Sequence, residues 1–294
     1  MQDEQFVNWL NEHKIEDYEL LEVNERKGRY CISFEINGCK RFLKWNMADS
    51  DVHKEFWQLL RKEESIYSLL QGKNISPPYK NIDGVFSVDF IQDAKTLRKR
   101  VKELVKHDSN TEELFQLIRD VLFKWQCFIQ TLTPLRMEGL KVISPIDEYR
   151  KYLGILLLSG PFETKKLRGL EITVNRFLYR FFLKKDMEKS PNMQQFLNNR
   201  QYPVTHGDFH ANNVIIGNSD CFIIDYENVQ HGSPEIEQAY MYAQICLLIR
   251  KNKKLRKRLD NYINNEMLII NNKALFWSIF TVYSKAIRFN RRFY

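Results

Sequence analysis

The sequence predicts an α+β protein of two lobes, a small antiparallel sheet followed by a larger and mostly helical part. Apolar and polar residues alternate over Tyr30–Ile36, which predicts a strand, and helical periodicity dominates after Asp93. The change of pattern lies near residue 91. The lobes are therefore predicted as residues 1–91 and 92–294, with a cleft between them.

The elements of the front lobe follow from local signals. An Asn-Gly pair at residues 37 and 38 predicts a two-residue hairpin turn. The return strand, Lys40–Asn46, carries Lys44 among apolar residues. Helical spacing over Asp51–Leu70 predicts a helix, and Phe86–Ile91 reads as a further strand.

The second lobe is predicted to be helical with one short hairpin. Strands are expected at Val214–Ile216 and Phe222–Ile224, joined by a Gly-Asn-Ser-Asp turn. The predicted helices cover residues 96–106, 111–132, 146–158, 162–184, 234–250 and 255–287, the last with a break near residue 271.

Composition indicates an ordinary globular chain of the cytoplasm. The five cysteines are scattered and form no metal knuckle or C-x-x-C pair, so we expect reduced thiols. No secretory leader is recognised at the N-terminus. The most apolar late stretch, Met267–Ala286, is interrupted by Asn and Lys, so no membrane span is expected.

Charge is distributed unevenly along the chain. The net charge is +8, yet Arg250–Tyr294 holds twelve Lys and Arg against Asp260 and Glu266, which gives the tail +10. A solvated surface helix is the simpler interpretation of such a run, and an anionic partner is the alternative. Nucleic acid is not expected as the main partner.

One polar stretch carries the chemistry. It runs T-H-G-D-F-H-A-N-N from residue 205 and is followed by an apolar strand ending in I-D-Y-E. Asp208, Asn213 and Asp225 thus supply two carboxylates and a carboxamide. Phosphoryl transfer from ATP needs oxygen ligands for magnesium and a group that orients the attacking hydroxyl, and these residue types meet both needs.

These motifs resemble the aminoglycoside phosphotransferase and choline kinase-like superfamily, whose signature is H-G-D-x-x-x-x-N followed by I-D-[WYF]-E. The resemblance implies a bilobal protein kinase-like fold that binds ATP and Mg²⁺. It implies that Asp208 is the catalytic carboxylate, Asn213 a magnesium ligand and Asp225 the main metal ligand. His206 would hold the loop, and His210 would bond within the loop or touch the acceptor.

The same resemblance assigns a phosphate-binding lysine and its partner. Lys44 occupies the expected third strand, and a lysine in a buried strand needs a counter-charge. The following helix resembles the pattern E-x-x-x-L-x-x-L. Glu63 aligns best with its acid, and Glu64 is the alternative.

The link between the lobes resembles a kinase hinge, with Asp89, Phe90 and Ile91 offering backbone groups to the adenine edge. The loop expected over the phosphates, residues 23–30, has a single glycine, so ATP versus GTP preference stays open. Ser233 and Pro234 read as a helix start, with Glu237 where the family usually has Asp.

The leading hypothesis is an ATP- and magnesium-dependent phosphotransferase that acts on a hydroxyl of a small molecule, sugar or glycan. The basic tail favours an anionic or neutral acceptor. A kinase-like scaffold without turnover and an aminoglycoside-type antibiotic kinase are the alternatives. A protein kinase is disfavoured because no A-P-E segment or long activation loop follows Asp225. Nucleic-acid binding by the tail remains an accessory function to consider.

Overall fold

The computed structural model of the chain describes residues 7–8, 11–12, 18–26, 29–36, 38–46, 51–82, 85–106, 111–135, 139–145, 147–149, 151–152, 202–218, 220–266 and 276–284. The chain forms two compact units. The first comprises Met1–Lys95 with Ile215–Asn228, and the second comprises Thr96–Val214 with Val229–Tyr294. The predicted α+β class is confirmed, and the lobe boundary at residues 91 and 92 stays a prediction.

The first unit is built on a five-stranded antiparallel sheet in the order β1-β2-β3-β5-β4. Its strands are β1 (Tyr18–Arg26), β2 (Arg29–Ile36), β3 (Cys39–Asn46), β4 (Tyr79–Ile82) and β5 (Val85–Asp89). The Asn-Gly turn is confirmed: Ile36 pairs with Cys39, and Gly38 has a φ of +73°, which glycine adopts without strain. Strand β5 ends two residues earlier than predicted.

Helix α1 (Asp51–Leu70) is confirmed at its predicted bounds. Among the side chains of this helix that the structure describes, the buried ones are Leu60, Glu63, Ile66, Tyr67 and Leu70, a single helical stripe. Glu63 is a charged side chain buried among these described apolar positions, which marks it as a residue with a partner.

The hairpin of short strands near the chemistry is also present. Strands β8 (Val214–Ile216) and β9 (Cys221–Ile223) are neighbours in a small sheet, and Tyr226–Asn228 forms a 3₁₀ turn after them. The strand at residues 221–223 begins and ends one residue before the prediction. Strand β6 (Lys95–Thr96) leads into the second unit.

The second unit is helical around an aromatic core. Its helices are α2 (Leu97–Leu104), α3 (Thr111–Leu132), α4 (Pro234–Leu248) and α5 (Lys253–Glu266), and residues 276–284 are helical as well. Strands β7 (Val204–Thr205) and β10 (Gln230–His231) pair antiparallel. The predicted helix 162–184 and most of 146–158 lie outside the described residues.

Helix α4 is central to this unit because ten of its fifteen residues are buried. Ser233 caps its start by accepting the backbone N–H of Ile236 at 3.4 Å, and Pro234 occupies the first turn. This confirms the predicted helix start. No helix among the described residues is long and apolar enough to cross a membrane.

Candidate active site

Lys44 lies between two carboxylates in the first unit. Its Nζ is 2.9 and 3.1 Å from the two carboxylate oxygens of Glu63 and 2.5 Å from Oδ1 of Asp225. The three residues come from β3, from α1 and from the segment after β9. The structure therefore brings together three of the residues singled out by the sequence.

Helix α1 also holds the segment that carries Asp225. Oε1 of Glu63 accepts the backbone N–H of Tyr226 at 3.3 Å, and Nζ of Lys62 donates to the backbone carbonyl of Glu227 at 3.2 Å. The ring of Tyr67 meets that of Tyr226 edge-on, with centroids 4.9 Å apart. Helix α1 thus supplies Glu63 as the partner of Lys44 and also positions Tyr226, the residue after Asp225.

Of the two glutamates left open by the sequence, Glu63 is the one in contact with Lys44. Glu64 points elsewhere and accepts from the side-chain amide of Asn81 at 2.6 Å. The buried stripe explains the difference, because Glu63 shares its phase and Glu64 is turned about 100° away.

The charges of this cluster depend on one another. Burial lowers the pKa of Lys44, but the Glu63 and Asp225 carboxylates outweigh it, so the pKa lies above its usual value. Burial raises the pKa of Glu63, and Lys44 partly offsets that shift. Asp225 has a φ of +70°, a left-handed conformation that costs a non-glycine residue roughly 1 kcal/mol or more. Such strain is typical of functional positions.

A cavity of about 430 Å³ opens beside this cluster. Lys44, Glu63 and Asp225 supply its charged part, while its other walls are mainly apolar and include Phe42, Tyr67, Phe86, Val88, Ile215 and Ile224. Ser33, Phe42 and Val88 are cross-strand neighbours on β2, β3 and β5, so strand register builds one wall.

Two of the three predicted hinge residues line this cavity. They are Asp89 and Phe90, whereas Ile91 packs its Cγ2 beside Gly217, where an added Cβ would lie 3.1 Å away. The backbone N–H of Phe90 donates to the carbonyl of Lys40 at 3.0 Å. This hydrogen bond joins the segment that follows β5 to the start of β3.

Asp89 has a second contact that the sequence did not reveal. Its carboxylate pairs with Arg41, which is only 1% exposed and also donates to Oγ of Ser87 at 2.7 Å. Arg41 stands opposite Asp89 in the β3–β5 register. A buried guanidinium needs such partners, so Asp89 stabilises the sheet as well as lining the cavity.

The second unit holds the loop with Asp208 and Asn213. Nδ2 of Asn213 donates to the backbone carbonyl of Asp208 at 3.1 Å, and the Asn213 N–H donates to the carbonyl of His210 at 2.9 Å. His206 is buried, and its Nδ1 accepts the Asp208 N–H at 3.3 Å. His210 lies with Nε2 3.5 Å from Oδ2 of Asp208. Both histidines therefore bond within the loop.

The buried carboxylate of Glu237, on α4, accepts hydrogen bonds from the backbone of the Asp208 loop. Its Oε2 accepts the His206 N–H at 3.2 Å and the indole N–H of Trp125 at 2.8 Å, and its Oε1 accepts the Gly207 N–H at 2.6 Å. Glu237 is fully buried, and burial raises its pKa to about 7. Gly207 has a φ of +78°, so the turn before Asp208 also requires glycine.

A second buried carboxylate, Glu148, supports the start of α4. Its Oε2 accepts the Ser233 N–H at 2.8 Å, and burial together with Glu237 raises its pKa to about 8. A Cβ on Gly232 would lie 2.7 Å from Oγ1 of Thr205 and 3.0 Å from Glu148, so a larger residue there would force these buried side chains to shift. No sequence pattern pointed to Glu148.

Asp208 is held in its ionised form. Burial works to raise its pKa, but His210, Lys151 and His206 outweigh burial and lower it. Nζ of Lys151 donates to the carbonyl of Gly207 at 2.7 Å. Lys151 carries no motif in the sequence, which is why sequence reasoning missed it.

Comparison with solved structures finds proteins of similar architecture. The chain superposes on the aminoglycoside phosphotransferase APH(3'')-Id from Streptomyces rimosus with a TM-score of 0.55 and 13% identity, covering 97% of this chain and 98% of that one. The chain has a protein kinase-like fold. Choline kinase LicA from Streptococcus pneumoniae is similar, with a TM-score of 0.51 and 13% identity over 99% of this chain and 97% of that one.

A further similar structure is the aminoglycoside phosphotransferase APH(4)-Ia, with a TM-score of 0.50 and 12% identity over 98% and 99% of the two chains. No protein-family model matches the sequence, and no curated protein is detectably similar to it. The likeness therefore concerns the fold, and the chemistry must be argued from the residues of this chain.

Proposed function

We propose that this chain is an ATP- and Mg²⁺-dependent phosphotransferase that acts on a hydroxyl of a small molecule, sugar or glycan. The observation that carries the proposal is Lys44, held by Glu63 and Asp225 at the charged part of an apolar cavity. The apolar and charged parts of the cavity match the two parts of a nucleotide, an apolar base and a polyanionic phosphate chain. In support, a thermostable mutant of the structurally similar APH(4)-Ia is known in a ternary complex with ADP and hygromycin B.

In this proposal the cavity takes the base. A volume of about 430 Å³ falls within the usual range of ligand sites, and Phe42, Val88 and Ile224 offer flat or branched apolar surface to a purine. Asp89, Phe90 and Ile91 would offer backbone groups to its edge. Lys44, kept charged by its two carboxylate partners, would contact the phosphates.

The donor chemistry of Asp225 and Asn213 fits magnesium. Mg²⁺ prefers oxygen ligands and is usually bound by one or two protein carboxylates together with substrate phosphates. Nδ2 of Asn213 donates to Asp208, so its Oδ1 would be the ligand atom. Bound magnesium would neutralise charge on the phosphates.

Asp208 would serve the acceptor. Its lowered pKa keeps the carboxylate ionised at neutral pH, so it can orient the attacking hydroxyl and accept its proton. Glu237, through the His206 and Gly207 N–H groups, would act as a positioning residue for this loop.

The test is a search for the acceptor with a built-in control. The protein is incubated with ATP, Mg²⁺ and pools of sugars, aminoglycosides, amino alcohols and nucleosides, and each pool is searched by mass spectrometry for the gain of one phosphate. We expect a product with the wild type and none with Asp208→Asn. A product formed equally well by both proteins would refute the role of Asp208, and failure to bind Mg-ATP would refute the function.

A further inference from the structure

The most exposed described positions of helix α5 (Lys253–Glu266) carry no negative charge, and its Asp260 is half-buried and paired with Arg256. Leu255, Leu259, Tyr262 and Ile263 place its opposite side in the core. The exposed positions described on α5 carry lysine, arginine and asparagine but no carboxylate: Lys253, Lys254, Lys257, Arg258, Asn261, Asn264 and Asn265. A solvated face usually intersperses both signs, so this face is unusual.

Three of these cations have no charged partner within the part of the chain that the structure describes. Lys253, Lys254 and Lys257 make no hydrogen bond or ion pair with any residue that the structure describes. The two arginines differ: Arg256 is paired with Asp260 at 3.0 Å, and Arg258 with Glu112 at 2.7 Å. The face therefore offers three lysines to an external anion.

Their placement is locally unfavourable for the helix. Lys253 and Lys257 are like charges one turn apart, an arrangement that destabilises a helix. Lys253 and Lys254 also occupy the first turn, where the helix dipole disfavours cations. Asn252 caps this turn by accepting the Leu255 N–H at 2.9 Å, so the helix keeps its start despite the repulsion. A bound anion would relieve both costs.

We propose that this α5 face binds the phosphate backbone of duplex nucleic acid without reading its sequence. Lysine and asparagine side chains are typical phosphate and sugar donors. No aromatic side chain is exposed among the described positions of α5, which disfavours base stacking on a single strand. No apolar one is exposed there either, which disfavours insertion into a membrane surface. This activity is separate from the proposed phosphotransferase.

The salt dependence of binding measures the number of phosphates contacted. For B-form DNA each neutralised phosphate adds about 0.9 to the slope of log K against log salt, so three lysines account for about 2.7. Fluorescence anisotropy with a labelled DNA duplex over a salt series is therefore the assay. We expect the triple variant K253Q/K254Q/K257Q to lower the slope by about 2.7 and to keep the wild-type affinity for Mg-ATP.

The matched control removes the same charge from other elements. Lys73, Lys80 and Lys102 are exposed and lie outside α5, so K73Q/K80Q/K102Q has the same net charge as the test variant. This control should keep the wild-type slope. Equal losses in the two variants, or a wild type that does not bind the duplex, would overturn the proposal. It would also be overturned if the α5 variant lost binding to phosphatidylserine vesicles while duplex binding stayed unchanged.

Discussion

Glu237→Gln tests how the loop before Asp208 is held. The wild-type carboxylate satisfies three buried donors with two oxygens, since Oε2 serves His206 and Trp125 and Oε1 serves Gly207. Glutamine has one acceptor oxygen, so its NH₂ group must face at least one of these donors. A buried donor left unsatisfied costs about 1–3 kcal/mol, and we expect this loss in the free energy of unfolding.

The loss should concentrate at the loop. If the His206 and Gly207 amides open more easily by 1–3 kcal/mol, their hydrogen exchange accelerates by roughly 5- to 150-fold. Exchange measured by mass spectrometry on the peptide that contains them reports this directly. Glu235→Gln is the control, because Glu235 lies on the same helix but contacts Ser233 and not the loop. Unchanged exchange and stability in Glu237→Gln would refute the anchoring role.

Three further outcomes are expected. Asp208→Asn should abolish phosphoryl transfer yet leave the melting temperature and the Mg-ATP affinity nearly unchanged, because it removes only the carboxylate proposed to accept the proton of the acceptor hydroxyl. A drop in melting temperature together with the loss of activity would show a structural role for Asp208 instead. Glu63→Gln should raise the Michaelis constant for ATP at least about tenfold, since a charge-assisted contact to Lys44 is worth about 1.5–3 kcal/mol. Glu64→Gln is the control and should hardly change that constant. Equal effects of the two substitutions would contradict the pairing of Lys44 with Glu63. Burial raises the pKa of Glu148 to about 8, above its unfolded value of about 4.5, so the folded state binds the extra proton. The free energy of unfolding should therefore fall by on the order of 3 kcal/mol as the pH rises from 5 to 8. Glu148→Gln should flatten this pH dependence, and urea midpoints measured across that pH range test it.

Local patterns predicted the parts of the fold that local physics determines. The Asn-Gly turn joining β2 and β3 and the helix Asp51–Leu70 follow from turn chemistry and helical spacing, and both are present as predicted. Helical phase could also have separated Glu63 from Glu64. Glu63 lies three residues from both Leu60 and Ile66, on the apolar stripe, whereas Glu64 does not.

Contacts between distant parts of the chain were beyond sequence reasoning. Arg41 is neutralised by Asp89 only because β3 and β5 pair in one register, and a strand pattern does not specify its partner. Trp125 reaches Glu237 from 112 positions away. Glu148 and Lys151 carry no motif, so only the packing of the second unit reveals that Glu148 supports the start of α4 and that Lys151 supports the Asp208 loop.

Magnesium-dependent binding of ATP tests the central claim most directly, because it requires no knowledge of the acceptor. Isothermal titration of ATP into the wild type, with and without Mg²⁺, is compared with the same titrations of Asp225→Ala. We expect magnesium to strengthen ATP binding to the wild type and this effect to disappear in the variant, since Asp225 is the proposed metal ligand beside Lys44. Equal magnesium dependence in the two proteins, or a wild type that does not bind ATP, would contradict it.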